Sequence, residues 1–301
     1  MEKGMIKLHN NIYVHTTADG LNVGCVVDNG SGTVSIDLPV NVDEALQWRS
    51  MLQELTPKPL RTIIFTAPDR VNSDALKALT PNLGPFGLPS IIQDAGFNTL
   101  YAALEAAQPR LLEPLSPVQL REHAVLPDMT FSDSATFTLG LDVPIRIDMT
   151  SVSANAPGCC MVTLRDSGVV FAGGLVAGSW PPMLPGADVE HWLASLSVLR
   201  RNRKIKVIVP AQGLCGDLSL VARTQEYLKA ASAGIRKLAR THKPRDTERI
   251  GALAVELADL YAGKYDSGDT ERVVRRVSDN LGRIFDELTL QAVAEPVPDF
   301  Q

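Results

Sequence analysis

Between residues 6 and 37 short apolar runs are separated by turn-forming residues, which predicts strands over 12–15, 21–27 and 33–37. The intervening Ala18-Asp19-Gly20 and Asp28-Asn29-Gly30-Ser31-Gly32 supply the positive φ angles of tight hairpins, so these strands read as an antiparallel meander. The period then changes. Trp48, Met51, Leu52 and Leu55 recur at helical spacing behind Asn41, a capping residue type, predicting a helix over 41–55 that Pro57 and Pro59 stop. The nearly all-apolar 62–66 (TIIFT) reads as a strand covered on both faces. A polar, irregular loop over 67–74, a Gly/Pro-rich connection over 81–89, a strand at 90–92 and a helix over 94–107 follow.

Beyond residue 126 the strand pattern returns. Val143, Ile145, Ile147 and Met149 alternate with Arg146 and Asp148, as in a half-exposed strand, and 160–164 and 169–172 flank the turn Arg165-Asp166-Ser167-Gly168 as a hairpin. Asp188 caps a helix carrying Val189, Trp192, Leu193 and Leu196 on one face, and 206–209 is the last strand. After Gly216 the pattern is helical over 217–240, 247–262 and 269–288, ending in a tail marked by Pro296 and Pro298. Two strand blocks, each followed by helices, predict two sheets packed face to face with helices outside. In a doubly wound parallel sheet helices would separate nearly every strand pair, which the glycine hairpins oppose.

Composition narrows the function. The 301 residues are 45% hydrophobic, enough for a substantial core, and 29 Lys+Arg against 34 Asp+Glu give a net charge of −5, which argues against nucleic acid as a partner. No N-terminal leader pattern and no run long enough to span a membrane is present, so the expected setting is cytoplasmic, with no membrane partner. Four cysteines without a CxxC spacing and five histidines (His9, His15, His123, His191, His242) limit the soft ligands for a metal.

Several segments in order resemble the metallo-beta-lactamase fold family, the αββα hydrolases that include glyoxalase II-like thioesterases and lactonases. Val34-Ser35-Ile36-Asp37 resembles the early strand ending in the family's aspartate, and 62–66 the strand that delivers its His-x-His-x-Asp-His metal loop. Asn155-Ala156-Pro157-Gly158 falls where the family has His-Thr-Pro-Gly, Phe171-Ala172-Gly173-Gly174 where it has Phe-x-Gly-Asp, and Val209-Pro210-Ala211-Gln212-Gly213 where it has Val-Pro-Gly-His-Gly. The resemblance implies a four-layer α/β (αββα) sandwich over residues 1–230. A helical extension over 231–301 then packs on the domain or forms a homodimer face through seams such as Leu228, Ala231, Ile235 and Leu238.

The departures decide the chemistry. Ala67, Asp69, Val71 and Asn72 stand where the family's metal loop has His, His, Asp and His; Asn155, Gly174 and Gln212 replace its remaining His, Asp and His. Catalytic zinc needs imidazole, thiolate or carboxylate ligands and a polarised water, and exchanging the whole set predicts a lost zinc site and no cofactor. Neutral replacements also remove the cost of crowding unpaired like charges in a pocket. The reading this favours is a pseudoenzyme: a metal-free, non-hydrolytic homologue that binds a small molecule or partner in the former cleft through Asp37, Asp69, Arg70, Asn72, Asn155 and Gln212. A hydrolase with divergent chemistry, built on Asp69 or on Cys159 as nucleophile, is a second reading, and an oligomeric or regulatory scaffold a third.

Overall fold

The computed structural model describes residues 4–79, 88–106, 126–178, 180–184, 187–241, 246–261 and 270–294. His123, His242, most of the Gly/Pro-rich connection and the 296–298 prolines lie outside them. The first sheet runs β1 (Ile6–His9), β2 (Ile12–Thr16), β3 (Asn22–Asp28), β4 (Gly32–Ile36), β5 (Leu60–Ile64), β6 (Ser90–Gln93) and β7 (Met129–Phe131), neighbours in that order. The predicted meander makes the antiparallel pairs β2 to β4, β1 adds a further antiparallel strand at its edge, and the crossovers through helices make β4 to β7 parallel. The second sheet, β8 (Ser134–Leu139), β9 (Ile145–Val152), β10 (Cys159–Leu164), β11 (Val169–Gly173) and β12 (Val207–Pro210), is antiparallel except for the β11–β12 pair.

Three apolar layers hold the sandwich. Ile12, Val26, Val34 and Ile64 of the first sheet meet Met149, Val162, Phe171 and Val209 of the second between the sheets. The approach is so close that a Cβ at Gly24 would lie 2.0 Å from the Phe171 ring. On the outer face of the first sheet, Trp48 and Leu52 of α1 (Val42–Leu55) and Leu76 of α2 (Ser73–Leu79) pack on Cys25, Ile63 and Ile92, beside α3 (Asp94–Ala106). On the outer face of the second lie α4 (Val189–Arg201), α5 (Leu218–Thr241), α6 (Thr247–Tyr261) and α7 (Thr270–Ala294). The order helix, sheet, sheet, helix is the αββα sandwich expected from the sequence.

Asn41 caps α1 by accepting from the Asp43 and Glu44 amides, and Asp188 caps α4 through the Glu190 and His191 amides. Two local expectations change. The stretch 67–74 is not all loop: it holds a 3-10 turn (Pro68–Arg70) and the start of α2. Val143 is not in a strand but 80% exposed in the turn before β9, because Pro144 follows it and cannot donate to a ladder. Of the seam Leu228, Ala231, Ile235 and Leu238, the first three are fully buried within the chain, in one cluster with Leu175, Trp192, Val277 and Leu281, and so are not available as a dimer face, while Leu238 is half-buried against the same cluster. Among the described residues no helix is long and apolar enough to cross a membrane.

Candidate functional site

The floor of the site begins at the end of β4. Asp37 follows the strand with φ 58°, a left-handed conformation that a residue with a Cβ adopts at a cost, and its side chain is turned inward and buried. Its carboxylate accepts from the Thr66 amide (2.8 Å) and the Thr66 hydroxyl (2.7 Å), tying β4 to the residue that leaves β5. The Arg70 guanidinium approaches from the 3-10 turn, Nε 3.5 Å from an Asp37 oxygen, and Arg70 is itself only 3% exposed. Burial raises the Asp37 pKa above the usual carboxylate range, while Arg70 and the Thr66 bonds pull it back.

Arg70 Nη2 also donates to the Asn22 carbonyl (2.7 Å), and the Asn22 amide donates to the carbonyls of Pro210 (2.9 Å) and Gly213 (2.7 Å). One polar chain therefore links the 3-10 turn, the start of β3 and the loop after β12. Above it opens a pocket of about 140 Å³ lined by Thr66, Asp69, Arg70, Asn155, Gly174 and Gln212 on one side. Val176, Trp180, Pro181, Pro182, Met183 and Arg276 line the other.

The second side depends on α7. Asn280, buried, donates to the Pro182 carbonyl (2.7 Å) and the Tyr227 hydroxyl (2.8 Å) and accepts from the Leu184 amide (3.0 Å), holding the 181–184 segment against the helix. One and two turns earlier, the guanidinium carbons of Arg276 and Arg272 lie 5.8 and 4.8 Å from the Trp180 ring centroid, within cation–π range.

Of the residues singled out from sequence, Asp69, Arg70, Asn155 and Gln212 line this pocket, and Asp37 lies beneath it. Asn72 does not: its Oδ1 accepts from the Asp74 and Ala75 amides and caps α2. Thr66, Asn22, Trp180, Arg276 and Asn280 were not singled out. Asn22 and Thr66 lie within the predicted strands 21–27 and 62–66, and Arg276 borders the buried stripe of Val273 and Val277, but nothing local marks any of them as facing a pocket. Cys159 is buried, its thiol pushed up to about 12 by burial and 3.5 Å from Asn155 Oδ1, the setting of a packed, protonated thiol.

The donor set does not fit zinc. Among the described residues Asp69 is the only carboxylate lining the pocket; Asn155 faces Cys159, Gln212 donates to the Asp19 carbonyl (3.1 Å), and Asn72 is a helix cap. At Gly174 an added Cβ would lie 1.8 Å from Asn155 Oδ1, so the amide fills the space an aspartate there would need. Among the described residues no three His, Cys, Asp or Glu side chains cluster as metal ligands. Instead His15 stacks on Trp48, with ring centroids 6.1 Å apart, and His191 bonds Asp188 at the surface.

No protein-family model matches the chain, and no curated protein matches its sequence. Solved structures do. A metallo-beta-lactamase from Pontibacter korlensis superposes with TM-score 0.58 at 20% identity, covering 75% of this chain and 98% of that one. The DIM-1 metallo-beta-lactamase exposed to ceftazidime gives 0.59 at 16% identity, covering 75% and 96%, and VMB-1 gives 0.58 at 17%, covering 77% and 100%. At such identities the likeness speaks for architecture alone: the chain has the metallo-beta-lactamase fold, with the residues of that family's metal motifs replaced.

Proposed function

We propose that this protein is a metal-free, non-hydrolytic relative of the metallo-beta-lactamases that binds a small molecule in the pocket between the β5–α2 turn and α7. One observation carries the reading: the side chains at the replaced positions that could offer an oxygen are Asp69 and three amides, of which Asn72 and Asn155 use their oxygens within the chain and Gln212 is held through its N–H to the Asp19 carbonyl. A buried guanidinium, Arg70, lines the same pocket, and its positive charge opposes a divalent cation beside it. Hydrolysis also needs a base or nucleophile in reach of substrate. Among the described residues no histidine lines the pocket, Cys159 is held as a neutral thiol and the Thr66 hydroxyl is committed to Asp37, which leaves Asp69 as the one candidate base, without a nucleophile beside it to activate. What remains is a concave, partly apolar cavity with convergent polar groups, the usual form of a small-molecule site.

The test is elemental analysis of protein purified without chelator from zinc-supplemented cells, joined to turnover assays on acyl thioesters and lactones. Substoichiometric metal and no turnover are expected. A full equivalent of zinc, iron or manganese that disappears in Asp69→Ala would overturn the proposal, as would turnover abolished by that substitution.

A further inference from the structure

We infer that the pocket recognises a small monocarboxylate, its carboxylate on Arg70 and Arg276 and its apolar body against Trp180 and Pro182. This rests on the reading of the pocket as a binding site and names its ligand class. Arg70 is 3% exposed, yet among the described residues its guanidinium finds one hydrogen-bond acceptor, the Asn22 carbonyl, and its Nε faces Asp37 at 3.5 Å without hydrogen-bonding it. A buried guanidinium with unused donors on the lining of a cavity calls for an acceptor there. Arg276 brings a second guanidinium to the same cavity, already stacked on Trp180, and the planar fork of arginine matches the two oxygens of a carboxylate.

Size and charge restrict the ligand further. A volume of about 140 Å³ is close to the roughly 150 Å³ that admits benzene, so the body is a short chain or a single ring. Asp37 offsets Arg70, and Asp69, which is exposed, lines the same pocket as Arg276. A second negative charge on the ligand would meet Asp69, and among the described residues lining the pocket the cations are Arg70 and Arg276, which the first carboxylate already occupies. Monoanions are therefore favoured over phosphate and over dicarboxylates.

The experiment titrates the wild-type protein with hexanoate and phenylacetate, their neutral amides, glutarate and inorganic phosphate, read by calorimetry and by the fluorescence of Trp180. Trp48 and Trp192 are fully buried, so Trp180→Phe identifies the responding ring. Both monocarboxylates are expected to bind. Their amides, glutarate and phosphate should bind about tenfold more weakly or worse, and Arg276→Gln should cost about tenfold while Arg276→Lys retains part of the affinity. Amides binding as well as acids, or no acid binding at millimolar concentration, would overturn the inference on wild-type protein alone, whether or not the variants fold. So would unchanged affinity in a folded Arg276→Gln. Metal content measured on the same sample separates the two claims. Carboxylate binding abolished by a chelator would sink the metal-free reading, whereas a metal-free protein that ignores every acid leaves that reading standing and removes this one.

Discussion

Asp37 and Thr66 at the ends of adjacent strands and Arg70 in the 3-10 turn form the floor of the pocket, the contact between the first two spanning 29 residues of chain, whereas Pro182 on the opposite wall and Leu184 behind it are held by Asn280, 98 and 96 residues away. The floor is a buried charge pair set into the first sheet; the wall is a neutral amide network between a loop and the last helix. Charges taken out of water leave a large penalty when one partner is lost, while an amide network fails by a few groups at a time. The floor is thus coupled to global stability and the wall to the shape of the pocket.

Asp37→Ala is the strongest attack on that contrast. It removes the partner of a guanidinium that is 3% exposed, leaves the Thr66 amide and hydroxyl without their acceptor, and should cost about 3–5 kcal/mol in urea unfolding. The pH dependence has a fixed sign. Because the folded pKa of Asp37 is raised, the native state holds its proton more tightly than the unfolded chain, so stability falls as pH rises from the ordinary value near 3.9 to the raised one. Asp37→Asn should flatten that step while tolerating the left-handed backbone. A loss below 1 kcal/mol for Asp37→Ala would mean that the floor is no more critical than the wall.

Asn280→Ala attacks the other side. Three buried partners, the Pro182 carbonyl, the Leu184 amide and the Tyr227 hydroxyl, lose their bonds at once, for a cost of about 2–3 kcal/mol. The signature is local: faster amide exchange at Leu184, with β4 and β5 protected as before. Exchange that rises equally in both sheets would erase the distinction between floor and wall.

How much of this was legible depended on the range of the interaction. The hairpin glycines, the caps Asn41 and Asp188 and the stripes through Trp48 and Trp192 are local signals, and the elements they predict are present. Asp69, Arg70, Asn155 and Gln212 were found by their place in motif positions that the fold brings together. Asn72 was misplaced because the same motif logic overrode a local one: it precedes Ser73-Asp74-Ala75 as a capping residue would, and α2 begins there. Trp180 and Arg276 carried no sign of each other. Of the arginines of α7, Arg276 alone lines the pocket, a choice made by how the helix docks and not by its own spacing.

Gly174 tests the smallest element of the contrast, the point where the floor side of the pocket has closed on itself. A methyl there would stand 1.8 Å from Asn155 Oδ1 and 2.6 Å from its Cγ, so in Gly174→Ala the Asn155 side chain must rotate away from Cys159. Because the obstacle is the end of a short side chain and not backbone, the cost should be about 1 kcal/mol, the lower end for overpacking. In an Asn155→Ala background the obstruction is gone and the same substitution should be nearly neutral, a coupling that a double-mutant cycle in urea reads directly. Additive losses would show that Gly174 is kept for its backbone alone; a coupling near the full cost of the single variant would show that the amide at 155 and the missing side chain at 174 are one substitution in physical terms, each permitting the other.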